Sequence, residues 1–248
     1  MSSQLADLKS GAKVTFLRAQ QEKIYLPGSR AVLLISVGQP VHEGAKLAAT
    51  IDMVNRTFSS CDVAVCDSLQ RHTIGMHEYL PKETLYINAN IEGEKWIKRN
   101  DASLKAIKIP HEIFRWDKYL LDNNFNRHLE AINLAYKKSN DFASAIHKTI
   151  DEFVARHERH FTIDNKEEAI NCCFNYLVEE CAIIMLMWPC RKYNYIVYPG
   201  EINKALEVAR CQFVAPIYSN LLKWLGVYVR TRNSHKQKFL VLQEEEFA

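Results

Sequence analysis

A serine, a tyrosine–carboxylate pair and a second tyrosine are the residues of this 248-residue chain whose types and spacing can do chemistry. Ser36 ends the apolar run RAVLLIS and opens the turn S-V-G-Q-P-V-H-E-G. A hydroxyl in a strand-to-helix turn faces substrate and lies near helix N-terminal N–H groups, an arrangement suited to acyl transfer through an oxyanion. The position also suits an ordinary cap or turn serine, and the G-x-S-x-G elbow of the hydrolases is absent. Tyr176 and Glu180 are spaced i, i+4, which stacks them one turn apart on one helix face. Turned inward, that face offers an ammonium group a carboxylate and a phenol. Turned outward, with Glu179 beside it, it is a solvated surface. Tyr198 ends the apolar stretch YNYIVY, and Pro199 restricts it to extended geometry. Its hydroxyl can relay a proton or hold a carbonyl, although a tyrosine there is equally core material.

A fourth element is basic. On a wheel of about 100° per residue, Lys95, Lys98, Arg99 and Lys105 fall within a stripe of about 120°, with Trp96, Ile97, Leu104 and Ile107 opposite. A one-sign outer face fits a phosphate backbone as partner, and simple solvation is the other reading.

These residues must be held by elements, and the pattern supplies them. AKVTFLRAQQEKIYLPG reads as two short strands or a strand and a loop. RAVLLIS and CDVAVCD (61–67) read as fully buried parallel strands, with AKLAATIDMVNRTF a helix between them. Ser36 and Asp67 then lie at the carboxyl ends of a βαβ unit, where ligands of such sheets bind. NANIEGEKWIKRNDASLKAIK is predicted to be one helix, broken by Pro110 before a short strand in IKIPHEIFRW. Long helices follow in FNRHLEAINLAYKKSNDFASAIHKTIDEFVARHE and KEEAINCCFNYLVEECAIIMLMW, the second with Asp164 as its N-cap. KYNYIVYPG is the next strand, and RTRNSHKQKFLVLQEEEFA a last strand with an acidic end. Without repeats or a Pro/Gly/Ser linker, residues 1–248 are expected to form one α/β domain.

Composition narrows the function classes. With 48% hydrophobic and 25% charged residues the chain is ordinary globular material. Glycine is scarce, at 8 residues, and neither G-x-G-x-x-G nor G-x-x-x-x-G-K-[ST] occurs, which disfavours dinucleotide and P-loop chemistry. The net charge of +3 places any anion binding in a local patch. The longest apolar run, Cys181 to Pro189, is shorter than a bilayer span, and MSSQLADLKSGAK has no apolar signal core, so a cytoplasmic location without membrane contact is expected. Seven cysteines, an odd count without C-x-x-C, fit a reducing compartment, with Cys172, Cys173 and Cys181 as core hydrophobes. His157 and His160, and likewise His72 and His77, lack a third ligand nearby, so no metal is expected.

Taken together, these residues resemble the cyclodipeptide synthases. The resemblance rests on S-V-G-Q (36–39), D-S-L-Q-R-H (67–72), G-E-K-W-I-K-R-N (93–100), Y-L-V-E-E (176–180) and V-Y-P-G (197–200), which follow in the family's order along nearly the whole chain. It implies a Rossmann-like parallel sheet flanked by helices, like the catalytic domain of class I tyrosyl- and tryptophanyl-tRNA synthetases. HIGH and KMSKS motifs are absent, so no ATP, cofactor or metal is implied. Family members join two amino acids, each already esterified to tRNA, into a diketopiperazine, acting as monomers. By motif, Ser36 is the implied nucleophile, Tyr176 and Glu180 hold the aminoacyl ammonium, and Tyr198 positions groups and relays protons. The helix carrying Lys95, Lys98, Arg99 and Lys105 would hold tRNA. Gly38, Gln39 and Pro199 belong to the implied substrate site. Gln39 stands where many members have Asn, and Tyr198-Pro199 marks the branch with Tyr-Pro at the strand end. Val32, Leu34, Asp67, Ser68 and Tyr119 are expected to line the first pocket, with Leu34 shrinking it toward a small first residue, Ala or Gly. Two other readings use the same residues: a synthetase-like protein that grips tRNA without chemistry, and an aminoacyl-tRNA deacylase or transferase to another acceptor.

Overall fold

The computed structural model describes residues 12–17, 28–78, 80–157 and 166–231. Its elements run β1 (Ala12–Phe16), β2 (Arg30–Ser36), α1 (Gly44–Thr57), β3 (Ser60–Cys66), α2 (Gln70–Gly75), α3 (Lys82–Arg99), α4 (Asp101–Lys105), β4 (Ile113–Arg115), α5 (Asp117–Leu120), α6 (Phe125–Lys138), α7 (Asn140–His157), α8 (Lys166–Cys181), β5 (Tyr195–Tyr198), α9 (Lys204–Ala209) and β6 (Lys223–Thr231).

The apolar runs of β2 and β3 are buried on both faces, as helices covering each side of a parallel sheet require. Strand order is β1-β6-β5-β2-β3-β4. The five strands from β6 to β4 are mutually parallel, whereas β1 runs antiparallel to β6, from Ala12 opposite Thr231 to Phe16 opposite Val227. The expected parallel sheet is therefore mostly parallel, with one antiparallel edge. From β2 the chain builds outward to β3 and β4, then returns to lay β5 on the other side of β2. That reversal is a topological switch point, and the crevice beyond the carboxyl ends of β2 and β5 is where such sheets bind ligands.

Side-chain alternation assigns the faces. Ala31, Leu33, Ile35, Val63 and Val65 pack with Leu47 and Ile51 of α1, Trp96 of α3 and Leu104 of α4. Val32, Leu34, Ala64 and Ile196 point the other way, into a core built with α6 to α9. With a period of two, Ser36 follows Leu34 and Tyr198 follows Ile196 onto this second face, beneath α8.

Two expectations need correction. The helix expected across residues 88–108 is two, because Asn100 leaves helical geometry (φ −104°, ψ 12°) to spend its side chain on Trp96 O, Glu43 Oε2 and the Gly44 N–H. The strand KWLGVYVRT is not among those expected from the sequence; the expected tail strand and the Asp164 cap fall on residues that lie outside the described ones, as does His160. The apolar segment is also longer than its core run suggests. Past Cys181, α8 continues without a break through widened turns at Ala182–Met187 and a tight turn at Trp188–Arg191, and this 26-residue stretch is long and apolar enough to cross a bilayer. Here it packs in the core, with Ala182, Ile183, Ile184, Met185 and Trp188 all buried.

Candidate active site

Ser36 and Tyr198, 162 residues apart, meet at the switch point with Ser36 Oγ 3.3 Å from Tyr198 Oη. Gly38 makes the turn behind the serine possible: its φ of +88° is left-handed, and Gln39 N–H bonds back to Ser36 O at 3.3 Å. A single tight turn at Pro40–His42 then intervenes before α1. The N–H groups of Gly44, Lys46 and Leu47 at the start of α1 already have acceptors in Asn100 Oδ1 and Glu43 O, so the helix terminus expected beside Ser36 does not supply these donors. Burial pushes the Tyr198 phenol up, the Glu180 and Cys66 charges add to this, and the bond to Ser36 opposes it. Tyr198 is therefore a neutral phenol at physiological pH.

A cavity of about 500 Å³ opens at this pair, lined by Ser36, Gln39 and Tyr198, by Gln70, Met76 and His77 from the α2 region, by Thr149 to Arg156 of α7, and by Tyr176 and Asn203. Glu180 lies buried under it, one turn from Tyr176, and its Oε2 has no hydrogen-bond partner. Burial pushes the Glu180 carboxyl up to about 8, against the Asn203 side chain, which favours the charged form through a hydrogen bond. Asn203 is itself fixed as the N-cap of α9, its Oδ1 accepting from Leu206 N–H at 2.8 Å. Burial also raises the Tyr176 phenol, with the Glu180 charge reinforcing the effect. A buried carboxyl without a cation, beside two phenols and a serine hydroxyl, is built to receive an amine.

The exposed alternative for this helix face is excluded for both glutamates. Glu179 is 4% exposed and Glu180 5%. Glu179 points to the other side of α8, where Arg71 grips both its oxygens, His72 Nε2 lies at 3.3 Å and Trp116 Nε1–H donates at 2.9 Å. These partners outweigh burial and hold the Glu179 carboxyl below the usual range. His72 is thus a hydrogen-bonding neighbour of Glu179, and His77 a cavity wall. Among the described residues no group of three or more His, Cys, Asp or Glu gathers to hold a metal ion.

Five residues expected in the first pocket do not reach this cavity. Asp67 is fully buried, its carboxylate paired with Arg115 and bonded to the Ser68 N–H at 2.8 Å. Helix α3 closes over it at Gly93, where any Cβ would overlap the Asp67 side chain. Ser68 is equally buried in the turn before α2. Val32 and Leu34 are packed with Ala64 and Cys66, and Tyr119 sits among Phe114 and Trp188. Strand-end position predicts proximity to the crevice, but α3 and α8 have filled this part of it. Pro199 follows Tyr198 at the rim, part-exposed, and Gln39 and Gly38 are exposed.

The basic stripe is also altered. Lys95 pairs with Glu92, Lys105 with Asp101 and Arg99 with Glu43, so the face is mixed in sign and interrupted at Asn100; Lys98 alone of the four has no ion-pair partner among the described residues. The sequence reading missed His42, Asn203 and the α7 wall. Asn203 carried the available signal, an N-cap side chain before an apolar helix; the others are brought in by packing across the chain.

No family profile matches the sequence, and no curated protein does. Solved structures do. The chain is similar to a CDPS from Fluoribacter dumoffii, 35% identical with a TM-score of 0.83, over 88% of this chain and 99% of that one. It shares its fold with a cyclodipeptide synthase from Candidatus Glomeribacter gigasporarum bound to Phe-tRNAPhe (20% identity, TM-score 0.65, 84% and 91% coverage). It shares it more distantly with the tyrosyl-tRNA synthetase of Archaeoglobus fulgidus (14%, 0.50, 80% and 54%). The likeness in sequence and fold, spanning most of both chains, makes this protein a member of the cyclodipeptide synthases, aminoacyl-tRNA-dependent enzymes related to the class I tRNA synthetases.

Proposed function

We propose that this enzyme joins the aminoacyl groups of two aminoacyl-tRNAs into a cyclic dipeptide through an ester on Ser36. The observation that carries the reading is the buried Glu180 carboxyl with an unpartnered oxygen beneath the Ser36–Tyr198 pair. An aminoacyl ester is already activated, so Ser36 Oγ can attack its carbonyl carbon and expel the ribose hydroxyl, which leaves with the hydroxyl proton. The vicinal ribose hydroxyl serves as the proton relay, since His42, near Tyr198, is neutral and held in the core. The substrate ammonium replaces the proton on Glu180, with Tyr176 as second contact. The amine of a second aminoacyl-tRNA then attacks the Ser36 ester carbonyl and expels Ser36 Oγ, which takes up the amine proton, giving a dipeptidyl-tRNA and a free serine.

The dipeptidyl group is then transferred back to Ser36 with loss of the second tRNA, and its free amine attacks that ester to release the ring and restore the hydroxyl. Tyr198, a neutral phenol within hydrogen-bond reach of Ser36, donates to the departing or developing oxygen in each transfer. The free thiols at all seven cysteines suit a reducing cytoplasm. The first aminoacyl group is taken to be small because the resemblance implies it at Leu34, a residue that itself packs in the core and does not line the cavity.

Incubation with charged tRNAs and mass spectrometry test the reading. Wild type is expected to carry a Ser36 aminoacyl adduct and release a diketopiperazine, and Ser36→Ala to do neither. Free amino acid without cyclic product would identify a deacylase, and tRNA binding with neither adduct nor product a non-catalytic binder.

A further inference from the structure

The Tyr198 ring contacts two others. Trp224 lies 5.3 Å away at 50°, and its indole N–H is fastened to Gly200 O at 3.0 Å. On its other contact, the His42 ring lies 5.5 Å away at 51°. His42 is 1% exposed, and burial pulls its imidazole down to about 3, so it meets the phenol as a neutral ring. The His42 main chain is fastened in turn. Its carbonyl accepts from the buried indole N–H of Trp96 at 3.1 Å. The next residue, Glu43, accepts from Arg99 Nε at 3.2 Å, Arg99 Nη2 at 2.7 Å and Asn100 Nδ2 at 2.9 Å. Trp96, Arg99 and Asn100 are spaced i, i+3, i+4, so the last turn of α3 grips the dipeptide His42-Glu43 from one face.

We infer that His42 and Glu43 are positioning residues for the Ser36–Tyr198 pair, held by the last turn of α3, and that Arg99 acts through Glu43 and not on tRNA. The inference rests on the proposed acyl transfer at Ser36. His42 and Trp224 both bound the Tyr198 ring. Removing His42 lets the phenol swing out of reach of Ser36 Oγ, and a misplacement of about 1 Å at a reacting group costs about 10²-fold in rate. Arg99 reaches the same ring through one carboxylate and one peptide, so its loss loosens the pair without touching substrate.

Single-turnover acylation of Ser36 at saturating charged tRNA, tRNA affinity and thermal midpoint are measured together. His42→Ala is expected to slow acylation by about tenfold or more with tRNA affinity within about twofold, and His42→Phe, which restores a ring, to recover most of the rate. Arg99→Glu is expected to slow acylation likewise, and the exchange Glu43→Arg/Arg99→Glu to recover it. Acylation by folded His42→Ala at the wild-type rate overturns the inference, as does a folded His42→Phe no faster than His42→Ala. So does an exchange variant that stays slow with weakened tRNA binding, since Arg99 would then be a tRNA contact. Absence of a Ser36 adduct in the wild type is a different failure, of the proposed function itself.

Discussion

Glu179 and Glu180 are consecutive on α8 and equally buried, yet one is saturated with partners and the other has an oxygen with none. Adjacent helical residues project about 100° apart, so a single helix can close a structural ion pair on one side and offer a carboxyl to the active site on the other. The two carboxyls shift in opposite directions, Glu179 down and Glu180 up to about 8.

Glu180→Gln separates binding from stability. Loss of a charge-assisted contact to the substrate amine, about 1.5–3 kcal/mol, should lower turnover by roughly 10- to 100-fold. Because the folded carboxyl titrates near 8 and not at its ordinary 4.5, its contribution to stability is full below the lower value and is lost as pH rises through the upper. The amide cannot ionise, so at about pH 9 the variant should be the more stable protein, by at most about 5 kcal/mol, while below about pH 4.5 the two should melt together. Thermal melts across pH check the sign.

Arg71→Met should destabilise the fold by about 3–5 kcal/mol, because it leaves Glu179 buried with only His72 and Trp116. The lowered Glu179 carboxyl contributes stability above the ordinary carboxylate range that is lost as pH falls below it. Denaturant titrations should therefore show the gap between variant and wild type narrowing in acid.

Gly93→Ala forces a methyl group into the Asp67 side chain. Asp67 is pinned by Arg115 and two main-chain N–H groups and cannot yield cheaply, so a loss of about 1–3 kcal/mol is expected in chemical denaturation. An alanine at Gly38 would instead act through its left-handed φ and perturb the Ser36 turn.

Lys98→Glu should weaken tRNA binding about 3- to 10-fold and flatten the slope of log affinity against log salt by about one. Lys95→Glu should do less, since Lys95 already pairs with Glu92. Filter binding at several salt concentrations distinguishes them.

Alanyl-tRNA should acylate Ser36 at least about tenfold faster than phenylalanyl-tRNA if the first residue is small as the resemblance implies, and equal rates would remove that expectation. The measurement is the rate of adduct formation by mass spectrometry.

Ser36 and Tyr198 were each legible as strand-end residues, because buried runs end in Ser and in Tyr-Pro, but their meeting was not, since it needs β5 to pair beside β2. The mostly parallel sheet followed from the same runs. The fate of Glu179 was not legible: its partner Arg71 lies 108 residues away, and only the packing of α2 on α8 brings them together. The basic stripe misled because a wheel drawn on cations omits Glu92, Asp101 and Glu43, and because Asn100 ends the helix the wheel assumes. His42 was invisible for a related reason. A histidine in a turn announces nothing until Tyr198 and Trp96 arrive from distant strands and helices.

Among the described residues, the sheet's two outer strands bear on how the chain behaves in a crowd. One is three residues long, Ile113–Arg115, and the other five, Ala12–Phe16, so each rim offers a neighbouring molecule few free N–H and C=O groups to pair with. The nine-residue β6 would be the longest template for such pairing, and it lies inside the sheet because β1 runs back along it. That antiparallel addition, which contributes nothing to the cavity, withholds the sheet's most adhesive edge from edge-to-edge aggregation.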